Sequence, residues 1–194
     1  MKQRIAYVTS NPNKANESVS ILKEMGIDVE PVLIRIPEIQ SDDLVEIAKF
    51  RAREAYRRLK RPVIVEDAGL FIDALNGFPG PYSSYVFKTI GNDGVLKIMK
   101  NVRTRRATFK SVVAFHNGKR ILTFTGEVRG RISFKPKGSS WGFDPIFEPK
   151  GLKGLTYGQL SPETKNKISH RRKALEKLAH YLLKKTKHLK IEGG

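Results

Sequence analysis

The sequence predicts an α/β protein built on a mixed, partly parallel sheet with flanking helices, and three observations carry that expectation. Short apolar runs rich in β-branched residues alternate with amphipathic helical stretches as far as residue 67. An Asn117-Gly118 pair then separates two β-rich runs, the strongest short-range hairpin signal. A basic helical stretch closes the chain. The order β-α-β-α-β, hairpin, α suits one compact domain over residues 1–194, with room for a cleft between two lobes.

Taken in order, residues 4–9 (RIAYVT) read as a short buried strand that ends at the polar turn Ser10-Asn11-Pro12-Asn13. A helix follows to about Met25, with Val19, Leu22 and Met25 on one face and Gly26 as its C-terminal stop. Residues 29–36 (VEPVLIRI) form the second expected strand. Ser41 is the expected N-cap of a long helix through Leu59, striped by Leu44, Ile47, Ala48, Ala52 and Ala55. PVIVED at 62–67 suits a buried central strand that ends at its two carboxylates. A Gly/Pro-rich loop over residues 77–81 leads to a short helix around 93–100. Residues 107–116 and 120–132 make the hairpin. A second loop, 135–153, carries the block Trp141-Gly142-Phe143-Asp144-Pro145. Ser161-Pro162-Glu163 opens the last helical region, with Ser161 as cap and proline at the first helical position. There Leu175, Leu178, Ala179, Leu182 and Leu183 share an apolar face.

Composition narrows the chemistry. The 194 residues include no cysteine, which removes a disulfide framework, a thiolate zinc site and a cysteine nucleophile. A chain of this length buries roughly 70% of its unfolded surface and needs no such staple. No apolar run approaches the ~20 residues of a membrane span. The opening MKQRIAYVTSNPNK carries no cleavage site, so the cytoplasm is the expected location. Against 19 acidic residues stand 37 Lys and Arg, a net charge of +18 that implies a polyanionic partner. Residues 165–190 hold ten of these cations and one acid, Glu176. That stretch reads as a solvated helix face, with a nucleic-acid surface and a field for an anionic substrate as the alternatives.

Four constellations carry chemistry. Thr9-Ser10-Asn11-Pro12-Asn13-Lys14 lies where a strand feeds a helix N-terminus, a junction whose free amides and dipole favour anions. An ordinary Asx turn would use the same residues. Glu66 and Asp67 at a strand end, with Glu38 near another, are hard oxygen ligands of the kind Mg²⁺ takes alongside substrate phosphates. Solvated acids at a loop start are the alternative. Trp141 and Phe143 offer flat faces for a base or filling for a core, and Asp144 an acceptor. Finally, Lys165, Lys167 and Arg171 with His170 form a donor set suited to carbonyl or phosphate oxygens.

In this order and over residues 4–183, TSNPNK, PVIVEDAGL, GFPGPYS, WGFDPIF and KNKISHR resemble the signatures of the inosine triphosphate pyrophosphatase family. Those enzymes hydrolyse non-standard purine nucleoside triphosphates. The resemblance implies an elongated mixed α/β fold with two lobes around a central cleft, a homodimer, and Mg²⁺-dependent release of pyrophosphate. It implies that Thr9, Ser10, Asn11, Pro12, Asn13 and Lys14 bind the triphosphate, helped by Arg51 and Lys165. It makes Glu38 and Asp67 the Mg²⁺ ligands, with Asp67 also the proton acceptor for the attacking water. Ala68 would contribute only backbone. Trp141, in the Gly142-Phe143-Asp144 block, would stack on the purine, and His170 and Arg171 would donate to it. A pure donor such as Arg171 suits the O6 of hypoxanthine and xanthine and penalises adenine by about 1–3 kcal/mol. The nearest rival readings are a Maf-type nucleotide pyrophosphatase and a basic nucleic-acid-binding protein.

Overall fold

The computed structural model describes residues 4–191, and the side chains of residues 4–184. Its first third is two strand–helix units, as the alternation of apolar runs and helical stripes dictates. Strand β1 (Ile5–Thr9) ends where Asn11 caps helix α1 (Pro12–Glu24), its side-chain oxygen accepting from the amides of Asn13 (2.9 Å) and Lys14 (3.3 Å). Pro12 sits in the first turn, where no amide donor is needed. Gly26, at φ 75°, ends the helix in the left-handed region as expected.

Strand β2 (Val29–Leu33) runs parallel to β1 from Ile5↔Val29 to Thr9↔Leu33. It stops three residues short of the expected end, because its partner in the sheet, β1, ends at Thr9. Helix α2 (Leu44–Leu59) buries the whole predicted stripe. Its cap is Asp43 rather than Ser41: Asp43 Oδ1 accepts from the Val45 amide at 2.7 Å, while Ser41 Oγ accepts from Asp43. Both residue types cap well, so only the position of the first helical turn decides between them.

Strand β3 (Val63–Ile72) departs most from expectation. It does not end at Asp67 but runs ten residues, through the segment that reads as a loop start. It pairs parallel with β1 only at Ala6↔Val63 and Tyr7↔Ile64. Its long partner is β5 (Arg106–His116), antiparallel from Val63↔His116 to Ile72↔Ala107. Gly69 is tolerated there for a steric reason, since a Cβ would fall 2.2 Å from the carbonyl oxygen of Gly80 in β4 (Pro79–Gly80).

Helix α3 (Ser83–Thr89) has no signal in the sequence, and α4 (Gly91–Ile98) replaces the helix expected around 93–100. Serine, tyrosine and valine are indifferent helix formers. Tertiary contacts hold α3 instead: Ser83 Oγ accepts from the Leu70 amide (2.8 Å) and donates to the Gly80 carbonyl (2.7 Å), and Val86 is buried. The hairpin of β5 and β6 (Ile121–Ile132) forms as predicted, with Asn117 Oδ1 accepting from Lys119 and Arg120 in the turn. The loop at 135–153 is less irregular than expected: a 3₁₀ turn, Asp144–Ile146, leads into β7 (Phe147–Pro149), which pairs with β6. Ser161 caps α5 (Pro162–Ile168), and α6 (His170–Ile191) follows directly.

The sheet order is β2-β1-β3-β5-β6-β7, with β4 beside β3. Helix α2 covers one face of the parallel part, around Ala48, Ala52, Val65 and Val112. Helices α1 and α6 cover the other, around Tyr7, Leu22, Ile64 and Leu178. A third cluster, with Leu70, Val86, Met99, Phe109 and Phe147, fills the far end of the hairpin. The two lobes share β3 and β5 and part where β1 stops. On α6, Leu175, Leu178 and Ala179 are buried, but Leu183 is 43% exposed, a correction to the predicted stripe. Lys173 and Lys177 donate to β6 carbonyls rather than facing solvent alone. The lysine side chains at 185, 187 and 190 lie outside the described residues.

Candidate active site

At the parting of β1 and β3 lies a cleft of about 350 Å³. Thr9, Ser10, Asn11, Asn13 and Lys14 line it from the β1–α1 turn. Glu38 and Arg51 approach from the β2–α2 side, and Asp67 and Ala68 from β3. Trp141, Gly142, Phe143 and Asp144 come from the loop before β7, and Lys165, His170 and Arg171 from α5 and α6. Of the residues that sequence reasoning assigns to a site, three stand outside the cleft: Pro12, exposed on the first turn of α1; Lys167, exposed on α5; and Glu66, buried behind β3.

The period-2 alternation of a strand separates the two neighbouring acids. Asp67 points toward α2, where its Oδ1 accepts from Arg51 Nη1 at 2.7 Å; Glu38 Oε1 lies 3.4 Å from the same nitrogen. Glu66 points to the opposite face and is 1% exposed. It accepts from Tyr7 (3.0 Å), Ser111 (2.8 Å) and Arg171 Nε (2.8 Å), so it is a structural anion rather than a metal ligand. Burial alone would raise the Glu66 pKa, but Arg171 and Lys14 hold it well below the usual carboxylate range. Burial also raises Asp67, and the opposing pull of Arg51 and Lys14 leaves it above an ordinary aspartate.

A second cluster surrounds Trp141. One carboxylate, Glu17, accepts from Trp141 Nε1 (3.0 Å), from Lys165 Nζ (2.8 Å) and from Arg171 Nη1. Lys165 Nζ also reaches Asp144 Oδ2 at 2.5 Å and sits 4.8 Å from the Trp141 ring centroid, with Arg171 Cζ at 5.4 Å. Asp144 is therefore an orienter of Lys165, held in turn by Ser140 (2.8 Å). Arg171 Nε and Nη1 are engaged, and its Nη2 has no partner among the described residues. His170 stacks on Phe109 at 4.6 Å, and burial, then Arg171, pushes its pKa well below 6.5. The imidazole is thus neutral and donates from one nitrogen only. Phe143 is core first, 3% exposed and edge-on to Phe87 at 5.6 Å.

Buried polar atoms without partners are rare in folded proteins and call for an explanation. Arg51 Nε, Asp67 Oδ2 and His170 Nδ1 are such atoms, and all three residues line this cleft. A ligand that enters the cleft can supply what they lack. The carboxylates also suit a hard divalent cation: Glu38 and Asp67 both approach a single cationic nitrogen, Arg51 Nη1, and Asp67 Oδ2 is buried without a partner.

Sequence reasoning missed Glu17, Ser84, Phe87, Lys88 and Phe109. For Glu17 a signal existed, because it follows Lys14 by three positions on α1 and so shares its face. The α3 residues had none, since the helix itself is held by tertiary contacts.

The chain matches the profile of the Ham1 family over residues 5–181. It is 52% identical to the "dITP/XTP pyrophosphatase" of Methanopyrus kandleri over 180 residues, 92% of this chain and 95% of that one. Identity to the protein of the same name from Thermococcus kodakarensis is 44%, over 92% of this chain and 97% of that one. A solved HAM1 protein from Coxiella burnetii superposes with a TM-score of 0.81 at 30% identity, covering 94% of this chain and all of the other. The Ham1 protein of Staphylococcus aureus does so with a TM-score of 0.78 at 29% identity, over 93% and 99% of the two chains.

Proposed function

This chain belongs to the Ham1 family, and we propose on that basis and on the furnishing of its cleft that it hydrolyses non-standard purine nucleoside triphosphates to the monophosphate and pyrophosphate. The single observation that carries the reading is the pairing of two clusters in one cavity. One is a strand-end anion turn beside a carboxylate with an open oxygen, Asp67 Oδ2; the other is an indole flanked by fixed donors. The first suits a polyphosphate and the second a purine.

Phosphoryl hydrolysis is mostly positioning and charge stabilisation. Side chains around the start of α1, Thr9, Ser10, Asn13 and Lys14, hold the triphosphate beside the positive end of the helix dipole. Asp67 takes the proton of the attacking water. Its Oδ1 is fixed by Arg51, so Oδ2 is the acceptor, and a pKa raised by burial makes it the stronger base. Water adds to phosphorus as the α–β anhydride breaks, and pyrophosphate departs. Glu38 and Asp67 would hold Mg²⁺, which offsets phosphate charge when bound. Trp141 stacks on the base while His170 and the free Nη2 of Arg171 donate to its O6. The same reading takes the protein as one hydrolase domain, working as a homodimer in the cytoplasm; sedimentation checks the dimer.

The test is a panel of ITP, dITP, XTP, ATP and a pyrimidine triphosphate with Mg²⁺, with products identified. Pyrophosphate from the first three is expected, with loss of activity in chelator and its return with Mg²⁺. Orthophosphate as product, or preference for the pyrimidine nucleotide, overturns it.

A further inference from the structure

The best-buried cations of the cleft already have anionic partners. Arg51 faces Asp67 and Glu38, Lys165 faces Asp144 and Glu17, and Arg171 faces Glu66 and Glu17. A triphosphate brings further negative charge, so its oxygens need cations that are not answered in this way. Among the described residues lining the cleft, two lysines have no carboxylate partner: Lys14 on α1 and Lys88 on α3. We propose that Lys88 is a second phosphate-binding residue, meeting the polyphosphate from the lobe opposite Lys14.

The local structure favours this. Ser84, Phe87 and Lys88 stand at i, i+3 and i+4 and share the face of α3 that lines the cleft. Two anchors set that face. Ser83 ties the helix start to β3 and β4, and Phe87 packs edge-on against Phe143. The Ser84 hydroxyl adds a neutral donor one turn before the lysine. An exposed ammonium on a flexible stem suits a phosphate chain whose position changes between substrate and product. The competing role for Lys88 is local: it lies in the last turn of α3, where a cation offsets the helix dipole. That role affects stability and leaves phosphate binding untouched.

The proposal rests on the nucleotide-hydrolase reading, and inorganic tripolyphosphate separates the two because it carries no base and needs no turnover. Lys88→Ala and Lys88→Arg are made in the full chain, with KM and kcat for ITP, tripolyphosphate affinity by calorimetry, and the thermal midpoint. Lys88→Ala is expected to raise KM and weaken tripolyphosphate by about tenfold, with kcat within about twofold, as loss of uniform binding requires. Lys88→Arg restores most of both, and the difference shrinks as salt rises. Parental KM and tripolyphosphate affinity in Lys88→Ala overturn the proposal, and so does a lowered midpoint with binding intact. If ITP is not hydrolysed at all, the hydrolase reading fails, and the tripolyphosphate titration still decides the role of Lys88 by the same criterion.

Discussion

Removing the Glu66 carboxylate is the most informative perturbation of this protein, because one buried anion connects three elements. Glu66→Leu takes the acceptor from Tyr7 on β1, Ser111 on β5 and Arg171 on α6, at 3.0, 2.8 and 2.8 Å. Arg171 is 1% exposed and is left with Glu17 alone. Breaking a buried pair from one side costs about 3–5 kcal/mol. For a chain of this size each kcal/mol lowers the midpoint by roughly 2–4 °C, so a fall of about 6–20 °C is expected by calorimetry at pH 7. The double variant Glu66→Leu/Arg171→Met removes both charges and should recover much of that loss. pH supplies an independent check. The Glu66 carboxyl is held below its ordinary 4.5 in the folded chain, so its stabilisation is present above that pH and is lost as pH falls through the acid range. The variant should lack that component. A midpoint within about 2 °C of the parent, or a double variant no better than the single, would refute the view that this anion holds Arg171 in place.

Further outcomes follow from the cleft. Asp67→Asn should lower kcat by about 10²–10⁴ with the fold retained, and the parent's acid limb in kcat/KM should lie above the ordinary aspartate range, since burial raises this group; near-parental turnover would remove Asp67 as the base. Trp141→Ala should raise KM for ITP by about 10–100-fold, the loss of a stack worth about 1–3 kcal/mol, and an unchanged KM would confine the indole to packing on Lys165 and Arg171. His170 is pushed below 6.5 by burial, so the unfolded chain binds the proton first. Stability should therefore be complete above about pH 6.5 and fall by up to about 1.4 kcal/mol per unit below it. His170→Gln should flatten that slope, and an unaltered slope in urea titrations would assign it elsewhere, for example to His116, which burial also depresses.

The elements that were legible in the sequence are those whose cause is local. Asn11 before Pro12, the stripe from Leu44 to Ala55, and Asn117-Gly118 each act within a turn or two of themselves, and each stands where expected. Part of the site was legible for a related reason: some of its residues sit at junctions that local patterns mark, Thr9 at a strand end and Lys14 in the first turn of a helix. What failed was set from a distance. Strand β3 passes through Asp67 and Gly69 because β5 offers a ten-residue ladder and Gly80 leaves no room for a Cβ. Helix α3, and Lys88 with it, exists because Ser83 reaches two backbone groups of neighbouring strands.

By itself the sequence determined the α/β class and the order of those elements whose cause is local, since residue type and spacing control hydrogen-bonding capacity and amphipathic faces directly. Only the tertiary structure decided what each charge does. Adjacent acids on β3 look equivalent in the chain, yet one faces Arg51 with an oxygen left open and the other is spent on Arg171. The reason is electrostatic: a carboxylate's role depends on which cation lies within about 3 Å and how much water is excluded, and both are properties of the packed lobes rather than of the strand that carries it.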